Sequence, residues 1–314
     1  MAGGAGPLGA RVWTALGLVY VVWGSTYLAI KFGVDSLPPL PMLGFRFLVA
    51  GAILFAWCAR RGWPRPTRAQ WAGAAVVGAL LPGIGNGTVG WAETRIDSGL
   101  AALIIAIVPL WIVVLDRLFL GRRLSARGVV GVAVGLGGVA FLVDPTGAST
   151  RDLVAALALV GSSFAWAAGS LYATRAPRPA DSLLGIAMQM LTGGVVLCAA
   201  GVGQWGDVDL GAVTAKSAGG LAYLIVVGSI IGYTAYGYLL QNAPPALVST
   251  YAYVNPVVAV GLGALFAGEQ ITLRTLVGGL VIVVAVALIV GSKQKPRPEP
   301  VQAAPELEPF REAA

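Results

Sequence analysis

Ten long apolar runs, separated by short clusters of Arg, Pro and Asp, constrain this chain more than any other feature. They lie at 12–32, 40–59, 69–92, 98–116, 127–143, 152–173, 182–201, 217–240, 246–266 and 273–291. A helix needs about 20 apolar residues to cross a hydrocarbon layer, and the runs have that length. Charged residues make up 11% of the chain and apolar ones 57%. A soluble domain carries about 25% charged residues, so this chain cannot clothe a water-facing surface. In lipid, backbone polar groups must be satisfied within each segment. The runs are continuous, not alternating, which selects helices over barrel strands. The expected fold class is an all-α membrane protein of ten transmembrane helices.

The first run follows a short Gly-rich start and is too long for the core of a cleaved signal, so it reads as a retained first helix. Loop charges give the orientation, because Lys and Arg accumulate on the cytoplasmic side. With the N-terminus inside, fifteen Lys and Arg fall inside, including Arg60, Arg61, Arg65 and Arg68. Only four, Arg95, Arg151, Lys216 and Arg274, fall outside. The expected placement is therefore a multi-pass protein of the inner (plasma) membrane with both ends cytoplasmic. The formal net charge of +7 belongs to topology, and no nucleic-acid partner is expected. Cys58 and Cys198 both lie in apolar runs, which speaks against a disulfide framework. Histidine is absent, which removes the commonest general base and metal ligand; no cofactor or metal is expected.

The chain repeats itself. A shift of 147 places Gly85, Gly90, Leu100, Pro109, Gly121, Arg127 and Gly131 on Gly232, Gly237, Leu247, Pro256, Gly268, Arg274 and Gly278. A shift of 143 places Trp23, Leu28, Leu48 and Gly51 on Trp166, Leu171, Leu191 and Gly194. Each half thus has a five-helix plan. Five is odd, so the second copy enters the membrane from the opposite side. The matching turns Gly121-Arg122-Arg123-Leu124 and Gly268-Glu269-Gln270-Ile271 carry opposite charge, as the positive-inside rule requires. Inverted repeats with a binding site at their interface are the architecture of secondary transporters.

Particular motifs carry a family resemblance. They are Gly85-Asn86-Gly87-Thr88-Val89-Gly90-Trp91-Ala92-Glu93, Ser98 to Ile104, Pro109-Leu110-Trp111, Trp23-Gly24-Ser25-Thr26-Tyr27 and Arg46-Phe47. Together they resemble the EamA family of the drug/metabolite transporter superfamily, over roughly 12–291. The resemblance implies a ten-helix, two-repeat fold that exports small metabolites or drugs, often with the proton gradient. The expected segments are a cytoplasmic N-terminus 1–11, a first EamA-like repeat 12–145, a second 146–292, and a disordered cytoplasmic tail 293–314. One departure is Leu120-Gly121-Arg122, where the family commonly has Leu-Gly-Glu. It fits a purely topological role for that turn.

Ionisable groups inside spans are costly and therefore functional candidates. Arg46, in the second run, reads either as a cavity cation for an anionic substrate or as a structural arginine bonding helix-end carbonyls. Its repeat mate is Gln189. Lys31 reads as snorkelling to the outer interface. Glu93 is the candidate for carrying a coupling proton, with an ordinary surface cluster of Arg95 and Asp97 as the plainer reading. Asp116 beside Arg117 reads as an interfacial pair. Asn86, its mate Tyr233, and Asn255 are neutral polar candidates; Pro82, Pro109 and Pro256 free carbonyls or simply bend their helices. Aromatics, namely Trp23, Tyr27, Trp91, Trp166, Tyr233, Tyr236, Tyr251 and Tyr253, can stack flat or cationic solutes. The expected substrate-binding set is Trp23, Tyr27, Arg46, Asn86, Trp91, Trp166, Gln189, Tyr233 and Asn255.

These readings favour a proton-coupled exporter working by alternating access. An importer of the same fold is the alternative. A membrane enzyme would need an Asp-rich metal motif, an intramembrane His or a paired-Asp site, and none is present, so no enzyme is expected. The expected partners are a small-molecule substrate and the lipid bilayer. A homodimer is left open, because Gly-rich faces serve packing within a bundle as well as between subunits.

Overall fold

Proline and short polar side chains set where the helices begin. The computed structural model describes residues 9–120, 126–143, 149–243, 245–248 and 250–290. Among them lie α1 (Ala10–Gly33), α2 (Pro39–Arg60), α3 (Arg68–Glu93), α4 (Ser98–Phe119) and α5 (Ala126–Val143). The second half holds α6 (Thr150–Ala173), α7 (Ser182–Ala200), α8 (Ala215–Leu239), α9 (Tyr251–Phe266) and α10 (Leu273–Val290). The first helical position of α2 is Pro39, where a missing N–H costs nothing. A capping box opens α3: Gln70 N donates to Thr67 Oγ1 at 3.2 Å and Thr67 N to Gln70 Oε1 at 2.9 Å. Ser149, Asp181 and Thr214 cap α6, α7 and α8 with their side-chain oxygens alone.

Among the described residues there is no strand. The helices α1 to α8 are long and apolar enough to cross a membrane, and α9 and α10 are shorter apolar helices. Large apolar side chains such as Phe119, Leu265 and Leu280 face outward. In water that surface would be an aggregation patch, whereas lipid wets it. The turn 121–124, the boundary at 145 and 146, and the expected tail 293–314 lie outside the described residues.

Three local departures from the expected runs have identifiable places. The fourth run breaks at Ala106–Ile107, because Pro109 has no N–H for the Ile105 carbonyl. Its turn tightens instead, with Ile107 N donating to Ile104 O at 3.3 Å and Leu110 N to Ile107 O at 2.9 Å. The ninth run, expected from 246, is a single turn Pro245–Val248 and then α9 from Tyr251. The Leu247 carbonyl is taken by Thr250, whose N and Oγ1 donate to it at 3.2 and 2.5 Å. Finally, α3 and α8 each contain a stretch of wide, π-helical turns, Ala79–Asn86 and Leu224–Ile231. Pro82 accounts for the first by releasing the Gly78 carbonyl. No residue type in the second dictates it.

Glycine lets the halves approach. Extensive pairings include α2 with α7 and α5 with α10. A Cβ on Gly194 would stand 2.9 Å from Leu48 N, and one on Gly44 3.0 Å from Cys198 N. Beyond these pairs, α1 packs on α8 and α9, while α6 packs on α3 and α4.

Hydrogen bonds show which helix ends lie together. At one end, Lys31 Nζ in the last turn of α1 donates to Glu93 O at the end of α3 (2.8 Å). Leu40 N at the start of α2 donates to Gln204 Oε1 beyond α7 (3.2 Å), and Thr214 N before α8 donates to Ser36 Oγ (3.1 Å). At the other, Gln70 Nε2 of α3 donates to Arg178 O beyond α6 (3.2 Å), and Gln241 Nε2 after α8 to Ser182 Oγ of α7 (2.6 Å).

Candidate functional site

A cavity of about 610 Å³ lies between the two halves. That falls within the range of roughly 300–1,000 Å³ typical of small-molecule sites. Seven expected residues line it: Trp23, Tyr27, Arg46, Asn86, Trp166, Tyr233 and Asn255. Tyr236 and Tyr251, read as aromatic candidates, line it as well. Ser170 and Thr174 are wall residues that no sequence signal singled out, and Thr26 is one named only within the Trp23–Tyr27 motif. Trp91 and Gln189 are not among the walls. Trp91 is covered by its own neighbour: the Arg95 guanidinium stacks 4.0 Å over its ring and Nη1 donates to its carbonyl at 2.9 Å. Gln189 belongs to α7, none of whose described residues lines the cavity, because that helix spends its face on α2 and α3.

Trp23 is the centre of an aromatic cluster. Its ring lies 5.2 Å from Tyr233, 4.8 Å from Tyr236 and 5.3 Å, at 90°, from Tyr251. These are attractive edge-to-face or tilted arrangements. The two mid-helix tryptophans sit on glycines of the opposite half. A Cβ on Gly232 would come 2.7 Å from Trp23 Nε1, and one on Gly85 2.5 Å from Trp166 Cε3. Asn255, with its amide nitrogen turned to donate, reaches the carbonyls of Tyr251 and Tyr20 at 3.1 and 3.2 Å. Tyr20 and Thr250 join their hydroxyls beside it. The Asn86 amide reaches only the Leu81 carbonyl of its own helix, at 3.5 Å.

Arg46 is 2% exposed. Its Nε donates to Ser229 Oγ at 3.0 Å, its guanidinium lies 4.6 Å from the Phe47 ring centre, and Nη1 has no hydrogen-bond partner. Among the described residues it bonds no helix-end carbonyl, which leaves the structural reading without its proposed partners.

Beyond the cavity, polar groups at one end of the bundle form a second cluster. Glu93 is fully buried, and neither carboxylate oxygen has a hydrogen-bond partner among the described residues. It is therefore no part of a surface cluster, although Arg95 and Asp97 are exposed. The Lys31 Nζ donates to the carbonyls of Glu93 (2.8 Å) and Ile96 (3.1 Å), at and just past the end of α3. Asp116 is buried. Glu269 was missed. Its Oε1 accepts from Ser98 N at 2.7 Å and its Oε2 from Gly99 N at 3.0 Å, so its carboxylate caps α4. That turn has a structural role besides its topological one. Partial loss of water, then the Glu269 charge, hold the Asp97 carboxyl above its usual range, with Lys31 acting against them.

Apolar helices packed around an aromatic cavity with a basic wall residue define the class: a polytopic helical membrane protein with an internal, solute-sized site. The family model described as "EamA-like transporter family" matches residues 12–144 and 153–291. The chain belongs to that family. It is 43% identical over 278 residues to the "Uncharacterized inner membrane transporter YedA" of Escherichia coli (strain K12), covering 88% of this chain and 89% of that one. It is 28% identical over 290 residues to the "Probable terminal-alkyne amino-acid exporter" of Streptantibioticus cattleyicolor, covering 90% and 94%. A solved crystal structure with 17% sequence identity superposes with a TM-score of 0.60, covering 88% of this chain and 96% of that one. At that identity the likeness concerns the fold alone.

Proposed function

We propose that this protein is a secondary active transporter that exports small organic metabolites or drugs by alternating access, driven by protons. The observation that carries the reading is a cavity walled by both halves, with a hydrogen-bonded cluster across one end. Lys31, Glu93, Ser98 and Glu269 draw α1, α3, α4 and the α9–α10 turn together at that end. Toward the other end the walls continue to Thr174, Val248 and Ile289, near the ends of α6, the 245–248 turn and α10. In the reading with both termini cytoplasmic, the clustered end is the outer, shut one and the cavity loads from inside, as an exporter requires. The names of two relatives, an inner membrane transporter and a probable exporter, agree with that membrane and that direction.

Two inverted five-helix repeats, 12–145 and 146–292, make the cycle work. Support comes from the reciprocal pairs Trp23 on Gly232 and Trp166 on Gly85, and from the way each half's first helix packs on the other half's third and fourth. Exchange of conformations between such halves would open the shut end and close the open one.

Glu93 carries the coupling proton. It is the buried carboxyl of the shut end, lacks a donor, and feels the charges of Lys31 and Glu269. Protein reconstituted into vesicles with an imposed pH gradient tests the scheme. Solute efflux is expected to follow the gradient, and Glu93→Gln is expected to bind solute yet lose that dependence. Flux at channel rates that ignores the gradient would reject coupled transport. Intact coupling in Glu93→Gln would remove the carboxyl from the scheme.

A further inference from the structure

We propose that the cavity selects organic monoanions: Arg46 takes one carboxylate or an equivalent anionic group, and the Trp23 cluster holds a flat apolar body. This rests on the transport reading above and goes beyond it by fixing the charge of the cargo. Arg46 is the one charged side chain among the cavity walls of the described residues; no Asp or Glu lines them. A guanidinium buried in a membrane bundle is ordinarily paired with a carboxylate or with backbone carbonyls. Here its single hydrogen bond among the described residues goes to the Ser229 hydroxyl, and Nη1 is left without a partner. The Tyr233 phenol on the same cavity wall is neutral at neutral pH and supplies no counter-charge. The deficit is thus one anionic acceptor, and the arginine's fork of N–H donors suits a carboxylate.

The same walls disfavour the other charge classes. Aromatic faces attract cations, but a ligand cation among Trp23, Tyr233 and Tyr251 would share the cavity with an uncompensated Arg46. A zwitterion's ammonium would need a carboxylate that the walls do not offer; Glu93 and Glu269 lie outside them. Ser229 sits in the wide-turn stretch of α8, so a shift of that stretch on ligand binding would move the arginine's anchor.

Three isosteric probes decide the matter on full-length protein in lipid nanodiscs at neutral pH: phenylacetate, phenylacetamide and phenethylamine. Tryptophan fluorescence reads binding, because Trp23 and Trp166 line the site. Phenylacetate is expected to bind about tenfold or more tighter than the amide, the scale of one hydrogen bond to a charged group. The amine is expected to bind weakest. Arg46→Gln should abolish the preference for acid over amide while the amide still binds, and Ser229→Ala should weaken only the acid, by several-fold. Should Arg46→Gln fail to fold, the wild-type charge series and Ser229→Ala still decide. The proposal is overturned if the amine matches the acid, if the preference survives Arg46→Gln, or if none of the three binds. Gradient-driven flux of a cation would sink the monoanion class and spare the transporter. Acid-selective binding without gradient-driven flux would do the reverse.

Discussion

Replacing Glu269 with Gln tests whether one carboxylate holds the shut end together. In the closed arrangement its two oxygens accept from Ser98 N and Gly99 N, at 2.7 and 3.0 Å, across the boundary between the halves. A Gln side chain has one acceptor oxygen, so one of the two N–H groups loses its partner. A hydrogen bond to a charged group contributes about 1.5–3 kcal/mol, and a negative charge at a helix N-terminus adds roughly 0.3–1 kcal/mol. Glu269 is half-buried, which favours the low ends of both ranges and puts the loss near 2 kcal/mol. If the bonds exist only while that end is shut, the ratio of shut to open falls about thirtyfold. Alkylation measures this directly. A single cysteine at Val89, a cavity residue, in a Cys58→Ala, Cys198→Ala background should react faster with an impermeant maleimide applied from the shut side. Glu269→Asp should lie between the two. An unchanged rate in Glu269→Gln, with the protein folded, would refute a carboxylate-held end.

Two further outcomes follow from close packing and from charge. Gly194→Ala should lower stability by about 1–3 kcal/mol, because its Cβ meets the Leu48 backbone at 2.9 Å. Gly161→Ala, with nothing within 4 Å, should be neutral or stabilising; thermal unfolding in nanodiscs compares them. Asp97 is held above its usual range by partial burial and by Glu269, so the folded state binds its proton more tightly than the unfolded one. Its ionisation costs stability as pH rises from the ordinary Asp range through the folded value, and none of that cost is present below that range. Asp97→Asn should flatten this slope, which melting temperatures across the acid range would show; an unchanged slope would assign it to other groups.

Much of the fold was legible because hydropathy in a membrane chain acts locally. Each run needs only to be apolar and continuous, so the helices emerged within a few residues of their bounds. The Trp23 and Trp166 positions were legible for another reason: both they and the glycines they rest on recur at nearly constant offsets. What stayed hidden depends on contacts between distant residues. The cap by Glu269 joins positions 171 and 170 residues apart, and nothing near Ser98 announces it. Repeat logic also misled at Gln189. It maps positions between halves, whereas α2 and α7 pair face to face, and only Arg46 of that pair reaches the cavity.

That inequality extends to the two ends of the bundle. Under the 147-residue shift, Glu269 corresponds to Arg122, Ser98 to Pro245 and Gly99 to Ala246. A carboxylate can accept from the first N–H groups of a helix, whereas a guanidinium only donates. Proline, moreover, has no N–H to offer. In the proposed cycle the opposite end could therefore not repeat the Glu269 cap on closing and would need other bonds. In the proposed cycle, a symmetric pair of halves would give the two closed forms equal energy, and this difference at the matching positions would break that equality. The effect expected of Glu269→Gln is thus one-sided. Arg122→Glu alone cannot build the matching cap, because the helix start it would face begins with Pro245.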